Sequence, residues 1–189
     1  MNKQGKIILI SGPSGVGKKT IIDLLKTNEN LNLSYSISYT TREKRKTEIN
    51  GKDYFFISEE EFKEKIKNGD FLEYAVFCNN YYGTDKNQVI SMINNGFNVI
   101  LEIEVQGAKN VLNIIPKNSI ISIFILPPTI EELIKRLMQR NTENINEIKN
   151  RISKAESEIN EKTMYQYNII NDNVNEVVNK IAKIIKNDQ

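Results

Sequence analysis

A chain of 189 residues with 39% hydrophobic and 26% charged content suits a single soluble domain with a substantial core. Its net charge of +2 argues against a large nucleic-acid-binding surface, and its lack of histidine excludes histidine acid–base catalysis and the commonest zinc sites. The one cysteine, Cys78, excludes an internal disulfide and favours a reducing compartment.

The sequence opens into a strand without a signal-like segment, and no apolar run approaches about 18 residues, so a cytoplasmic protein without a membrane span is expected. Ile7 to Ile10 is an unbroken apolar run, as in a strand buried on both faces of a parallel sheet. Gly12, Pro13, Ser14, Gly15, Val16, Gly17, Lys18, Lys19 and Thr20 follow, and Ile21, Ile22, Leu24 and Leu25 then mark a helix. Strand, glycine loop, lysine and helix make the phosphate-binding pattern of nucleotide triphosphate enzymes. Backbone without Cβ can curl so that successive N–H groups face an anion, while the helix dipole and Lys18 add positive charge. One position departs from the pattern. Lys19 stands where a hydroxyl normally ligates Mg²⁺, which leaves Thr20, one residue later, and water as the expected ligands.

Leu31 to Ser38 alternates like a half-buried strand, and the polar, basic stretch from Tyr39 to Gly51 reads as a surface loop. Asp53 to Ile57 is a short strand, and Ser58 with Glu61 makes a capping box for a helix ended by Asn68-Gly69. Phe71 to Phe77 is a strand candidate containing Glu73, Asn79 to Gly83 looks like a turn, and a helix is expected over about 86–94. From Asn98 the strand–helix rhythm resumes: a strand over Val99 to Ile103, a helix through Ala108 and Val111, and a strand over Ser119 to Leu126 stopped by Pro127-Pro128. Thr129 with Glu132 suggests a second capping box, and another helix begins at Thr142 or Asn144. Tyr167 to Asn171 is the last strand and Val174 to Ile185 the closing helix. Alternation of this kind predicts an α/β fold with a parallel sheet and helices on both faces. The segment over about 34–88 reads as an insertion and that over about 127–162 as a second excursion from a core over about 1–33, 89–126 and 163–189.

The phosphate loop is followed by Ser38-Tyr-Thr-Thr-Arg42, Arg45, Glu48, Gly51-Lys-Asp-Tyr54, Phe71-Leu-Glu73, Asn80-Tyr-Tyr82-Gly-Thr84 and Leu101-Glu102-Ile-Glu104-Val-Gln-Gly107. Arg136, Arg140, Arg151 and Ile170-Asn171-Asp172 complete a series that resembles the guanylate kinases, in order, over about residues 5–185. The resemblance implies a P-loop NTPase fold with a GMP-binding insertion and a helical lid, and Mg²⁺-dependent phosphoryl transfer from ATP to GMP. It implies an ATP site over Gly12 to Thr20 with Asn171, and it makes Lys18, Arg42, Arg136, Arg140 and Arg151 the catalytic cations. It implies GMP binding by Ser38, Arg42, Arg45, Glu48, Tyr54, Glu73, Tyr82, Thr84, Glu102 and Glu104. The chemistry is coherent. Two arginines can fork around a phosphate monoester carrying about two negative charges. A carboxylate accepts the adjacent N1–H and N2–H donors of guanine, and an ionised phosphate acceptor requires no general base. Lys44, where the family has proline, and Asn141, where it has glycine, depart from the pattern, as does Lys19. An inactive guanylate-kinase-like interaction module and another nucleotide kinase or GTPase are the alternatives. Intact Gly12, Gly17 and Lys18 weigh against the module, and the sequence leaves the oligomeric state open.

Overall fold

The structure is a computed structural model describing residues 4–77, 79–138 and 145–188. At its centre is β1 (Ile7–Ser11), buried along its whole length. It is flanked in a five-stranded parallel sheet by β7 (Asn98–Glu102) and β8 (Ile120–Leu126), with β2 (Leu33–Tyr35) and β9 (Tyr167–Ile170) at the edges. Successive side chains of a strand point to opposite faces. Ile8 and Ile10 therefore join the core with α1 (Lys18–Lys26) and α7 (Val174–Asn187), while Ile7 and Leu9 meet α3 (Lys86–Asn94) and α4 (Val105–Ile114). This double burial is why the run lacks alternation. Each such isoleucine contributes about 1.5–3 kcal/mol of transfer free energy.

A second sheet is formed by β3 (Tyr39–Thr40), β4 (Phe55–Phe56), β5 (Phe71–Phe77) and β6 (Asn80–Asp85), in the order β4-β3-β6-β5. It has its own aromatic packing. Phe62, on α2 (Glu59–Asn68), stacks on Phe71 with ring centroids 4.4 Å apart and meets Tyr81 at 5.2 Å. Gly83 is required beneath them, because a Cβ there would lie 2.8 Å from Phe62 and 2.9 Å from Phe71.

Several local expectations are corrected. Tyr39–Thr40 is strand rather than loop, since Tyr39 pairs with both Phe55 and Gly83. Asn79 to Gly83 is not a turn throughout: Asn79 takes φ 60° just before β6, and the tyrosines that follow pair antiparallel to β5. The strand expected from Leu31 shortens to Leu33–Tyr35, because Glu29–Leu31 forms a 3₁₀ turn and Asn32 takes φ 45°. The strand expected over Asp53 to Ile57 is confined to Phe55–Phe56.

The Ser58–Glu61 capping box is complete, with bonds of 2.8 and 3.2 Å. The Thr129–Glu132 box is half formed. Thr129 Oγ1 accepts from Glu132 N at 3.1 Å, but the Glu132 carboxylate turns to Arg136 Nε at 3.0 Å. The remaining helices are α5 (Ile130–Met138) and α6 (Ile145–Asn160). Arg140, Asn141 and the helix start expected at Thr142 or Asn144 lie outside the described residues. Among the described residues, no helix is long and apolar enough to cross a membrane.

Candidate active site

The loop between β1 and α1 is shaped by glycine. Gly12, Gly15 and Gly17 take φ of 146°, 87° and 100°, a region that residues with Cβ rarely adopt. Lys18 opens α1, and its Nζ donates to the carbonyls of Gly12 at 2.6 Å and Pro13 at 3.2 Å, so the ammonium lies back over the loop. No side chain caps the N-terminus of α1, which leaves its first amides facing the loop.

Other elements close on the loop. Asn171 Nδ2 donates to Val16 O at 2.7 Å, and Arg136 donates to Asn171 O at 3.3 Å. Arg151 Nη1 donates to Ser14 Oγ at 3.0 Å. Gly17→Ala is expected to lower stability by about 2 kcal/mol, because it combines a strained φ with a Cβ only 2.7 Å from Asn171 Nδ2. Thermal unfolding should fall by about 4–8 °C, and an unchanged melting temperature would show that the loop relaxes freely. Lys19 and Thr20 are exposed on the first turn of α1, and Asp172 is exposed beside Asn171.

On the second sheet, Arg42 Nη2 binds Glu48 Oε1 at 2.8 Å, and Glu48 Oε2 accepts from Arg45 N at 2.8 Å. The Arg42 guanidinium lies 5.6 Å from the ring centres of both Tyr54 and Phe56. Tyr54 meets Tyr82 edge-on at 6.0 Å. Partial burial works against the charge of Arg42, but the bond and charge of Glu48, together with Tyr82, outweigh it and raise its pKa. Arg45 is exposed and makes no ion pair with a described residue. Burial raises the pKa of Glu48, but the bonds from Arg42 and from Arg45 N, with the charges of both arginines, hold its carboxyl below the ordinary value.

Glu73 is the buried member of this sheet. A bulge between Phe71 and Glu73 shifts the register so that Glu73 lies opposite Thr84, whose hydroxyl donates to Oε1 at 2.6 Å. Glu73 is 7% exposed, and burial pushes its carboxyl from 4.5 up to about 7 against the bond from Thr84. Gly107 on α4 leaves room for it, since a Cβ there would overlap Glu73 Oε2. Ser38, half-buried, gives its carbonyl to Phe55 N at 2.9 Å.

The two halves meet along β7. Glu102 pairs in register with Ile10 of β1, one residue before Ser11 and the phosphate loop. Tyr35 Oη donates to Glu102 Oε2 at 3.4 Å, and Glu102 in turn raises the pKa of Tyr54, after burial. Glu104 accepts from Lys154 Nζ at 2.6 Å. Of the residues singled out from sequence, Lys18, Ser14, Arg136, Arg151 and Asn171 thus surround one loop, and Arg42, Arg45, Glu48, Tyr54 and Tyr82 form one cluster. Three roles escaped the sequence reading: Gly107 as the wall beside Glu73, although it closes the Leu101-to-Gly107 run, Tyr35 on Glu102, and Lys154. Lys154 left a signal in its place three residues beyond Arg151 on one helix face.

The sequence model of the guanylate kinase family matches residues 4–188. The chain is 52% identical to a guanylate kinase of Malacoplasma penetrans over 184 residues, covering 97% of this chain and 94% of that relative. It is 50% identical to a guanylate kinase of Mycoplasma mobile over 186 residues, covering 96% and 92%. The crystal structure of guanylate kinase from Anaplasma phagocytophilum matches with a TM-score of 0.82 at 32% identity, covering 100% of this chain and 88% of that one. With a family match from residue 4 to residue 188 and half of all positions shared with such relatives, the chain belongs to the guanylate kinase family.

Proposed function

We propose that the chain transfers the γ-phosphoryl group of ATP to GMP, giving ADP and GDP. The observation that carries this reading is the pairing of a glycine phosphate loop with a buried, base-sized hydrogen-bonding group, Glu73 on Thr84. The loop from Gly12 to Thr20 holds the ATP phosphates through its amides and Lys18, with Asn171 behind it and Arg136, Arg140 and Arg151 neutralising charge as it moves between nucleotides. Arg42, Arg45, Tyr54 and Tyr82 hold the GMP phosphate, with Glu48 fixing the Arg42 fork. Glu73 accepts the guanine N1–H and N2–H donors, while Ser38, and Thr84 once its hydroxyl turns from Glu73, donate to O6. In this reading residues over about 34–88 are the GMP-binding insertion and those over about 127–162 the lid.

Mg²⁺ enters as part of the ATP substrate. Among the described residues no group of three or more His, Cys, Asp or Glu side chains could cage a metal. Hard oxygen donors at Glu102, where β7 ends beside β1, and at Glu104 just beyond it suit instead an ion held by phosphates and water, with Thr20, exposed on the first turn of α1, as the hydroxyl of the loop side. Such an ion neutralises phosphate charge during transfer.

The test is a coupled assay with Mg²⁺, ATP and each nucleoside monophosphate in turn. GMP is expected to be consumed with a kcat/KM about 10⁴-fold above that of AMP, because adenine presents an acceptor at N1 to the Glu73 lone pairs. No GDP from GMP would overturn the reading in favour of an inactive interaction module.

A further inference from the structure

Arg151, Lys154 and Glu158 lie at i, i+3 and i+7 on α6 and so share one helical face. That face reaches two places at once. Arg151 donates to Ser14 of the phosphate loop, while Lys154 Nζ binds Glu104 Oε2 at 2.6 Å, at the residue that caps α4 just beyond β7. Glu158 is 8% exposed, and its Oε1 lies 3.7 Å from Lys154 Nζ. A carboxylate is seldom so buried without a cation, and Lys154 is the cation bonded nearest to it. Beside Glu104, Lys154 and Glu158 is a cavity of about 180 Å³, lined also by Ala75, Val76 and Gln106. It leaves the Lys154 ammonium room for other rotamers. Both carboxylates hold it, Glu104 at 2.6 Å and Glu158 at 3.7 Å.

We propose that Lys154 is a positioning residue: held between Glu104 and Glu158, it fixes the face of α6 that presents Arg151 to the phosphate loop. Arginine has a long, rotamer-rich side chain, and a helix anchored one turn away removes part of the freedom it must otherwise lose during transfer. Without the anchor Arg151 still exists but is less often in place. That lowers turnover more than nucleotide binding. The kinetic part of the inference rests on the phosphoryl transfer proposed above; the structural part does not.

Lys154→Met keeps the aliphatic stem and removes the charge. At saturating ATP and GMP its kcat is expected to fall about tenfold, with KM for GMP within about twofold of wild type. Lys154→Arg should recover kcat to within about threefold, because a guanidinium can reach both carboxylates. Glu158→Gln, which leaves Lys154 in place, should lower kcat about threefold. Hydrogen–deuterium exchange reads the anchor without turnover: amides over residues 151–160 should exchange about tenfold faster in Lys154→Met, with the rest of the chain protected as before. Unchanged exchange, an unchanged kcat in both charge-removing variants, or a loss that Lys154→Arg does not restore would each overturn the inference. Faster exchange in a protein that makes no GDP even as wild type would instead uphold the anchor and overturn the proposed activity.

Discussion

Lys18→Ala is expected to reduce GDP formation by at least about 10³-fold while leaving the fold in place. The ammonium lies back over its own loop. It bonds to the carbonyls of Gly12 and Pro13, the walls of its own loop, and it is not part of the hydrophobic core. Those bonds are local and partly exposed, so their loss changes stability by about 1 kcal/mol or less. In the proposed phosphoryl transfer the same group would face charge moving between two nucleotides. There a preorganised cation or donor contributes about 3–4 kcal/mol or more. Steady-state turnover and a thermal melt on one preparation separate the two effects. A melting temperature within about 2–4 °C of wild type together with lost turnover supports the assignment. Near-normal turnover in a folded variant would remove the loop from the reaction.

How much of this was legible in the sequence depends on whether a residue's role is local. The phosphate loop was readable because left-handed φ at Gly15 and Gly17 can be met only by particular residue types, and those types stand out in a string of letters. The double burial of β1 was readable because a strand covered on both faces loses its alternation. Residues 39–40 and 79–83 misled because polar and turn-forming composition outweighed a pairing made across the chain. Thr40 is fully buried, and Tyr82 is held opposite both Thr40 and Ala75. The second capping box failed through competition: the Glu132 carboxylate had a cation four residues ahead and took it. Lys154 and Gly107 are of the same kind. Each matters for one atom of a residue distant in sequence, Glu104 in one case and Glu73 in the other, and helical spacing, which sets Lys154 beside Arg151, names neither partner.

Glu73 is where fold and function pull in opposite directions, and Glu73→Gln should expose it. Burial raises the carboxyl from 4.5 to about 7, so between those values the folded chain holds a proton that the unfolded chain has released. Stability from this group is therefore complete below about pH 4.5 and is lost as pH rises to about 7, where ionisation of the buried group destabilises the fold by about 3 kcal/mol. Glutamine keeps the acceptor for Thr84 and never ionises. Chemical denaturation should then find Glu73→Gln more stable than wild type by about 1–3 kcal/mol at pH 8 and indistinguishable from it at pH 4.

The same substitution replaces one of two acceptors with an N–H₂ that opposes a guanine donor. The expected loss in kcat/KM for GMP is about 10³-fold, with KM for ATP within about twofold. In wild type, GMP use should also weaken as pH falls through about 7, since a protonated Glu73 cannot accept both donors. GMP titrates its own phosphate near pH 6. The limb near 7 should disappear in Glu73→Gln and leave only the nucleotide's. A variant that loses GMP use without gaining stability at pH 8 would show that Glu73 is not held ionised against its burial. Equal losses toward GMP and ATP would show that it does not read the base.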